Sequence, residues 1–358
     1  MRNIGIISGF AAFALAACQP AVEEAKVAPH QQYDAKTFFD TTAVSMSSPT
    51  AYSFSLDGAN LLVATDKSGV FNAAALPVAG GDAAPLTQSP NIATFAISYF
   101  PADDRILVSA DGGGDELSHI FVREADGALK DLTPGDKHAA NFIGWSGDGK
   151  TFWIGSNERD PQMFDVYAYD ATTFARKLVF QNSGFLPAGV SPDGKWLALD
   201  KPNTSADSDV YLADLTKPAT QKPVLVTPNN ADIAYATYEF TPDSKSLIYA
   251  TDEFGEFMQA WTHDIATGKK TELLKADWDV MFVTYSPSGK YRVDAINADA
   301  STKITILDQT AGKPVALTGV PDGDIGSVRF NRDETKIAFT VASDTSPSDV
   351  FVADLATG

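Results

Sequence analysis

One turn phrase recurs along this chain, and its spacing limits the possible folds more than any other feature. It reads SFSLDGANLLVA at 53–64, SYFPADDRILVS at 98–109, GWSGDGKTFWIG at 144–155, GVSPDGKWLALD at 189–200, EFTPDSKSLIYA at 239–250, TYSPSGKYRVDA at 284–295 and RFNRDETKIAFT at 329–340. The turn carboxylates are Asp57, Asp103, Asp148, Asp193, Asp243 and Asp333, with Ser288 in the sixth copy, and successive separations are 46, 45, 45, 50, 45 and 45 residues. The phrase is that of a hairpin: an aromatic or β-branched residue closes one strand, Pro presets the first turn position, Asp accepts local N–H groups and Gly takes the left-handed conformation. An apolar strand such as WLAL or SLIY then leaves the turn. Each copy continues through a polar loop to a third alternating strand (HIFVREAD, DVYAYD, DVYLADL, QAWTHDI, KITILD, DVFVADL), and most add a fourth that ends near Leu-Thr.

Four antiparallel strands every 45 residues or so make one propeller blade, and seven blades close a ring. The expected fold is therefore all-β, a seven-bladed β-propeller of four-stranded antiparallel blades. Helical solenoids of similar period are excluded, because segments with apolar residues at i, i+3, i+4 and i+7 are almost absent. The seventh copy stops at DLATG, whereas DIATGKKTELL at 264–274 runs on into a fourth strand. The last blade is thus expected to be either incomplete or closed by the N-terminal segment AKTFFDTTAVSM (35–46). The loops between second and third strands differ most between copies: 66–69, 111–118, 156–165, 200–209, 251–259, 297–302 and 343–348. They are expected on one face of the ring with the blade-to-blade connections, where specificity on a repeat scaffold resides.

With 27 Lys and Arg against 46 Asp and Glu the net charge is -19, and no basic block occurs. Nucleic acid is not an expected partner. At the N-terminus, Arg2 precedes an apolar run from Ile4 to Ala17 and then Cys18, the single cysteine. The run is short for a membrane span and reads as an export signal. Leu15-Ala16-Ala17-Cys18 resembles a bacterial lipobox, which implies cleavage before a lipidated Cys18 and a membrane attachment through lipid only. A buried structural thiol is the alternative. Residues 1–18 are then a lipoprotein signal, 19–33 a flexible tether and 34–358 the propeller. Gln19 after the cysteine implies, by the same resemblance, the outer membrane and a periplasm-facing or cell-surface protein.

The stretches DGGGDELSHIFVREADGALKDLTPG, GWSGDGKTFWIGSNERDPQMFDVYAYD and YATDEFGEFMQAW are similar to the propeller domain of prolyl oligopeptidase family serine peptidases, the group with dipeptidyl and acylaminoacyl peptidases. TolB-like propellers share the turn phrase. In that family the propeller precedes an α/β-hydrolase domain and shields a Ser-Asp-His triad, so that only short or flexible peptides enter. A nucleophile elbow requires G-x-S-x-G between a strand and a helix. The nearest strings, Gly144-Trp145-Ser146-Gly147-Asp148 and Gly189-Val190-Ser191-Pro192-Asp193, place Asp fifth and lie in the repeated turns. No catalytic residue and no α/β-hydrolase domain is therefore expected on this chain.

Two main readings follow. In the first, the chain is the non-catalytic, substrate-gating portion of an exported, lipid-anchored peptidase of this family. In the second, it is a free-standing TolB-like propeller that binds an envelope protein. A carbohydrate or metabolite enzyme working in the channel is a third. Peptides are the expected ligands, with a hydrolase domain or an envelope protein on the loop face. On that loop face Glu116, His119, Glu158, Arg159, Glu253 and Glu256 are the candidate substrate-binding residues, because carboxylates attract a peptide ammonium and form charge-assisted hydrogen bonds. The alternative for Glu158 and Arg159 is a structural pairing with a neighbouring blade. The four histidines are scattered without ligand spacing, and DGGGDE lacks the alternating oxygens of a calcium loop, so neither metal nor cofactor is expected.

Overall fold

A computed structural model describes residues 32–39 and 41–358. Cys18, the signal at 1–18 and most of the tether lie outside the described residues. The chain divides into two units, Met1–Thr41 and Thr42–Gly358, and of the first only 32–39 and Thr41 are described. In the first, Ala35–Phe39 is a short helix, and Asp34 Oδ1 accepts the Thr37 N–H at 2.9 Å and its hydroxyl at 2.8 Å. No helix among the described residues is long and apolar enough to cross a membrane.

The second unit is the expected seven-bladed propeller. Its innermost strands are Val44–Met46, Thr94–Tyr99, Ala140–Trp145, Leu186–Val190, Tyr235–Phe240, Asp279–Tyr285 and Asp324–Phe330. Among the described residues, six sheets have four antiparallel strands in sequence order, while the seventh has three: Asp324–Phe330, Lys336–Ser343 and Ser346–Asp354. Of the two expected finishes for the last blade, closure by the N-terminal segment is not found among the described residues. Val44–Met46 does not reach the seventh sheet as its outer strand; it pairs antiparallel with Asn60–Thr65 as the innermost strand of the first.

The repeated phrase builds the turn as the sequence implies. In blade 4 the Ser191 hydroxyl donates to Asp193 Oδ1 at 2.7 Å and accepts the Trp196 N–H at 2.9 Å, while the same Asp193 oxygen accepts the Lys195 N–H. Gly194 supplies the left-handed residue at φ 72°. Ser146 and Asp148 repeat the pattern in blade 3. The serines of both elbow-like strings are thus committed to their turns.

Two copies put another residue at the left-handed position, Ser244 at φ 60° and Glu334 at φ 54°. In each, the side chain ties its turn to that of the preceding blade. Ser244 Oγ accepts the Asp193 N–H at 3.0 Å. Glu334 accepts the Ser288 N–H and its hydroxyl, both at 2.6 Å, in the copy where serine replaces aspartate. Replacing Glu334 by alanine should therefore lower stability by about 1–3 kcal/mol through two lost charge-assisted bonds. Glycine should be milder than alanine there, because it relieves the positive φ. Urea unfolding of both variants checks this, and alanine proving the milder change would contradict it.

The ring is held by apolar packing between blades. Leu, Ile, Val and aromatic side chains on alternating strand positions form a cluster at every boundary from blade 1–2 to blade 6–7. At the blade 2–3 boundary Phe100, Phe152 and Tyr169 are fully buried, each worth roughly 1.5–3 kcal/mol of burial. The last boundary is closed too, with Ala338 of blade 7 packed on Phe54, Leu61, Val63 and Ala74 of blade 1.

Candidate functional site

Each innermost strand runs toward the turn phrase. The loops between second and third strands and the blade-to-blade connections therefore emerge at the other end of the strands, as the repeat implies. Arg159 lies on the second strand of blade 3, Thr151–Asp160, and clamps the fully buried Asp165 of the third strand, Met163–Asp170. Its Nε and Nη2 donate to the two Asp165 oxygens at 2.6 and 2.8 Å, and Nη2 also donates to the Asn182 carbonyl at 2.8 Å. Asp165 accepts the Asn182 N–H at 2.7 Å as well. The NERDP loop is thereby fixed from beneath, and a third of the Arg159 side chain still faces solvent.

Glu158 points elsewhere and meets Arg176 Nη1 at 2.9 Å. Burial works to raise its carboxyl, yet hydrogen bonds from Arg176 and Tyr167 hold it below the usual range. Both pairings lie within blade 3 rather than across to a neighbour. His138 adds a smaller lowering influence on the Glu158 carboxyl, and its ring stacks on His119 with centroids 5.5 Å apart and planes 7° apart. His119 Nδ1 shares a 2.8 Å hydrogen bond with Asp131 Oδ2. His119, Asp131, His138 and Glu158 thus gather where blades 2 and 3 meet. Asp131 and His138 are not among the candidates read from the sequence, and the fold brings them in.

In blade 5 the Tyr235 hydroxyl donates to Glu253 Oε2 at 2.9 Å, and Lys270 Nζ stands 3.5 Å from the same oxygen. Glu256 and Glu116 are exposed, and Glu116 takes a left-handed φ of 62°. No contact joins the blade 5 carboxylates to the blade 2–3 group. Aromatic side chains accompany them: Phe254, half-exposed, rests on Trp261 with centroids 4.3 Å apart, and Phe257 lies beside the exposed Trp278 at 6.0 Å. The loop face therefore offers a carboxylate and aromatic group on blade 5 and a mixed-charge group on blades 2 and 3.

A further element has no counterpart in the repeat. Residues 47–52, SSPTAY, leave blade 1 and run along the axis-facing edge of its neighbours. The Ser48 N–H donates to the Ile97 carbonyl of blade 2 at 3.1 Å, and the Tyr99 N–H donates to the Tyr52 carbonyl at 2.8 Å. Thr50 Oγ1 reaches the Ile143 carbonyl of blade 3 at 3.0 Å. From the other side, Arg329 of blade 7 donates to the Ser47 carbonyl at 3.0 Å. Arg332, 4.8 Å over the Tyr52 ring, donates to the carbonyls of Phe100 and Pro101. This strap occupies space on the inside of the ring at blades 1 to 3. Its sequence carries no periodic signal, which is why the repeat does not reveal it.

Comparisons with known proteins agree with this architecture. The family model for the prolyl oligopeptidase N-terminal β-propeller domain matches residues 91–358. Dipeptidyl aminopeptidase BIII of Pseudoxanthomonas mexicana is 29% identical over 253 residues, covering 69% of this chain and 31% of that protein. The chain thus matches about a third of that relative's length. Among solved structures, prolyl oligopeptidase B from Galerina marginata is similar at a TM-score of 0.63 and 16% identity, over 88% of this chain and 48% of the other. An oligogalacturonate lyase in complex with manganese reaches a TM-score of 0.66 at 15% identity, over 87% and 90%. At these identities the two structures speak for the fold alone.

Proposed function

Because the chain belongs to the prolyl oligopeptidase family, through its N-terminal β-propeller domain, we propose that it is the substrate-gating portion of an exported, lipid-anchored serine peptidase of that family. The family match over residues 91–358 carries this reading. Apolar packing at all seven blade boundaries supports it, since a ring without a loose seam keeps an aperture of fixed size. The strap at 47–52 narrows the inside further. Bond cleavage belongs, on this reading, to a hydrolase domain that faces the loops. The ring contributes size exclusion and docking of the peptide amino terminus at Glu253 and Glu256.

Binding of fluorophore-tagged tri- and tetrapeptides, read by anisotropy, tests the reading. Peptides with a free amino terminus should bind several-fold tighter than their acetylated forms, and Glu253→Gln with Glu256→Gln should erase that difference. Equal binding of free and acetylated peptides would remove the docking role. A serine-reactive fluorophosphonate should leave the folded chain unlabelled. Export and anchoring are tested separately by palmitate labelling in a bacterial host, which Cys18→Ser should abolish.

A further inference from the structure

Arg105, Arg159, Arg176 and Arg292 each meet a carboxylate at 2.6–2.9 Å. Arg329, on the innermost strand of blade 7, meets none among the described residues, although only 9% of it is exposed. Burial pushes its guanidinium down to about 10, and no neighbouring charge opposes the shift. Its Nη1 donates to the Val328 carbonyl at 2.9 Å and its Nη2 to the Ser47 carbonyl at 3.0 Å. The Nε–H is buried and has no acceptor among the described residues. Two neutral carbonyl oxygens do not replace a counter-charge, and a guanidinium held out of water without one is costly to keep. With 46 acidic residues in the chain, the missing partner is not a matter of composition.

Arg159 shows what is left out. There Nε and Nη2 grip the two oxygens of Asp165, while Nη2 also donates to the Asn182 carbonyl. Arg329 has the carbonyl on Nη2 and the free Nε–H, but no carboxylate between them. Arg332 is less isolated: burial lowers it as well, but Tyr52, Asp104 and Asp103 oppose the shift, and its Nη groups hold the Phe100 and Pro101 carbonyls.

The position of Arg329 says what kind of carboxylate fits. Asp324, at the start of the same strand, accepts the Thr302 N–H and the Ser301 hydroxyl from the second-to-third-strand loop of blade 6, which fixes that end of the strand at the loop face. Arg329 lies further along the strand, roughly 17 Å away at the rise of an extended chain, against the first residue of the strap at 47–52. It stands inside the ring, below the loops that carry Glu253 and Glu256.

We propose that Arg329 receives the terminal carboxylate of a peptide lying along the inside of the ring, and so selects short peptides with a free carboxyl end. The carboxylate takes the Nε–H and shares Nη2 with the Ser47 carbonyl, as Asp165 shares Nη2 of Arg159 with Asn182. A peptide whose amino terminus docks at Glu253 and Glu256 needs about five residues or more to reach it, at 3.3–3.6 Å each. That length rests on the docking reading above; the carboxylate site does not.

The test titrates the full chain with alanine peptides of increasing length, as free acids and as amides, by calorimetry. From about five residues upward the free acid should bind about tenfold tighter than its amide, in keeping with one charge-assisted pair. Arg329→Gln, which keeps a donor for the Ser47 carbonyl, should erase that difference while the preference for a free amino terminus remains. A readout on the unmutated chain does not depend on the folding of that variant: with isotope-labelled arginine, the Nε–H resonance of Arg329 should move downfield with the free acid and stay in place with the amide. Equal binding of acid and amide, or an unmoved Nε–H, overturns the proposal. An amide ending in glutamate that binds as tightly as the free acid also overturns it, because the site would then read a side chain. Loss of the acetylation effect alone overturns docking at Glu253 and Glu256 and leaves Arg329 standing.

Discussion

Replacing Asp165 by alanine should lower the stability of the folded chain by about 2–4 kcal/mol. The carboxylate is fully buried and accepts three hydrogen bonds, two from Arg159 and one from the Asn182 N–H. Alanine leaves the buried amide of Asn182 without an acceptor, and it frees an arginine whose Nη2 also holds the Asn182 carbonyl. Asparagine should cost less, because its side-chain oxygen still receives the Asn182 N–H while the charge facing Arg159 is gone. Urea unfolding of the three proteins reads the order directly. A loss below about 1 kcal/mol for alanine would show that the NERDP loop is held by other contacts. The same substitution should loosen blade 3 where Glu158 and Arg159 sit, so peptide binding on the loop face is the second quantity to measure.

Glu239 should make stability fall as pH rises, the reverse of an ordinary ion-paired carboxylate. It lies on the innermost strand of blade 5 and bridges to blade 6, accepting the Tyr285 N–H at 2.6 Å and the Thr284 hydroxyl at 2.8 Å. Burial pushes its carboxyl from 4.5 up to about 7, against those two bonds. Between those values the folded chain keeps a proton that the unfolded chain has released, so unfolding becomes easier as pH climbs through the window and levels off above it. Glu239→Gln keeps an acceptor for Tyr285 and offers a donor to Thr284, as the protonated acid does. The variant should match the parent near pH 5 and exceed it by on the order of 2–3 kcal/mol at pH 8. Thermal unfolding at the two pH values checks this, and a constant offset would place the ionisation elsewhere.

Much of the candidate site was legible in part. Glu253 and Glu256 fall in the blade 5 loop that the repeat marks out, beside Phe254 and Phe257, and the structure places all four there. Glu158 and Arg159 were legible as a pair of charges, but their partners Arg176 and Asp165 lie on separate strands of one blade. Strand register, which a charge pattern does not encode, chose those partners. The stacking of His119 on His138 joins the start of the third strand of blade 2 to the connection that leads into blade 3, an approach set by how the two blades pack.

The sequence alone determined the number of blades, their strand order and the chemistry of their turns, because each turn is closed by groups within five residues of one another. Local bonds of that kind are written wherever the phrase is written. Only the tertiary structure decided where Val44–Met46 pairs and how residues 47–52 cross to blades 2 and 3. Those outcomes depend on contacts between groups tens to hundreds of residues apart, such as Arg329 on Ser47, and their free energy exists only once the ring has closed.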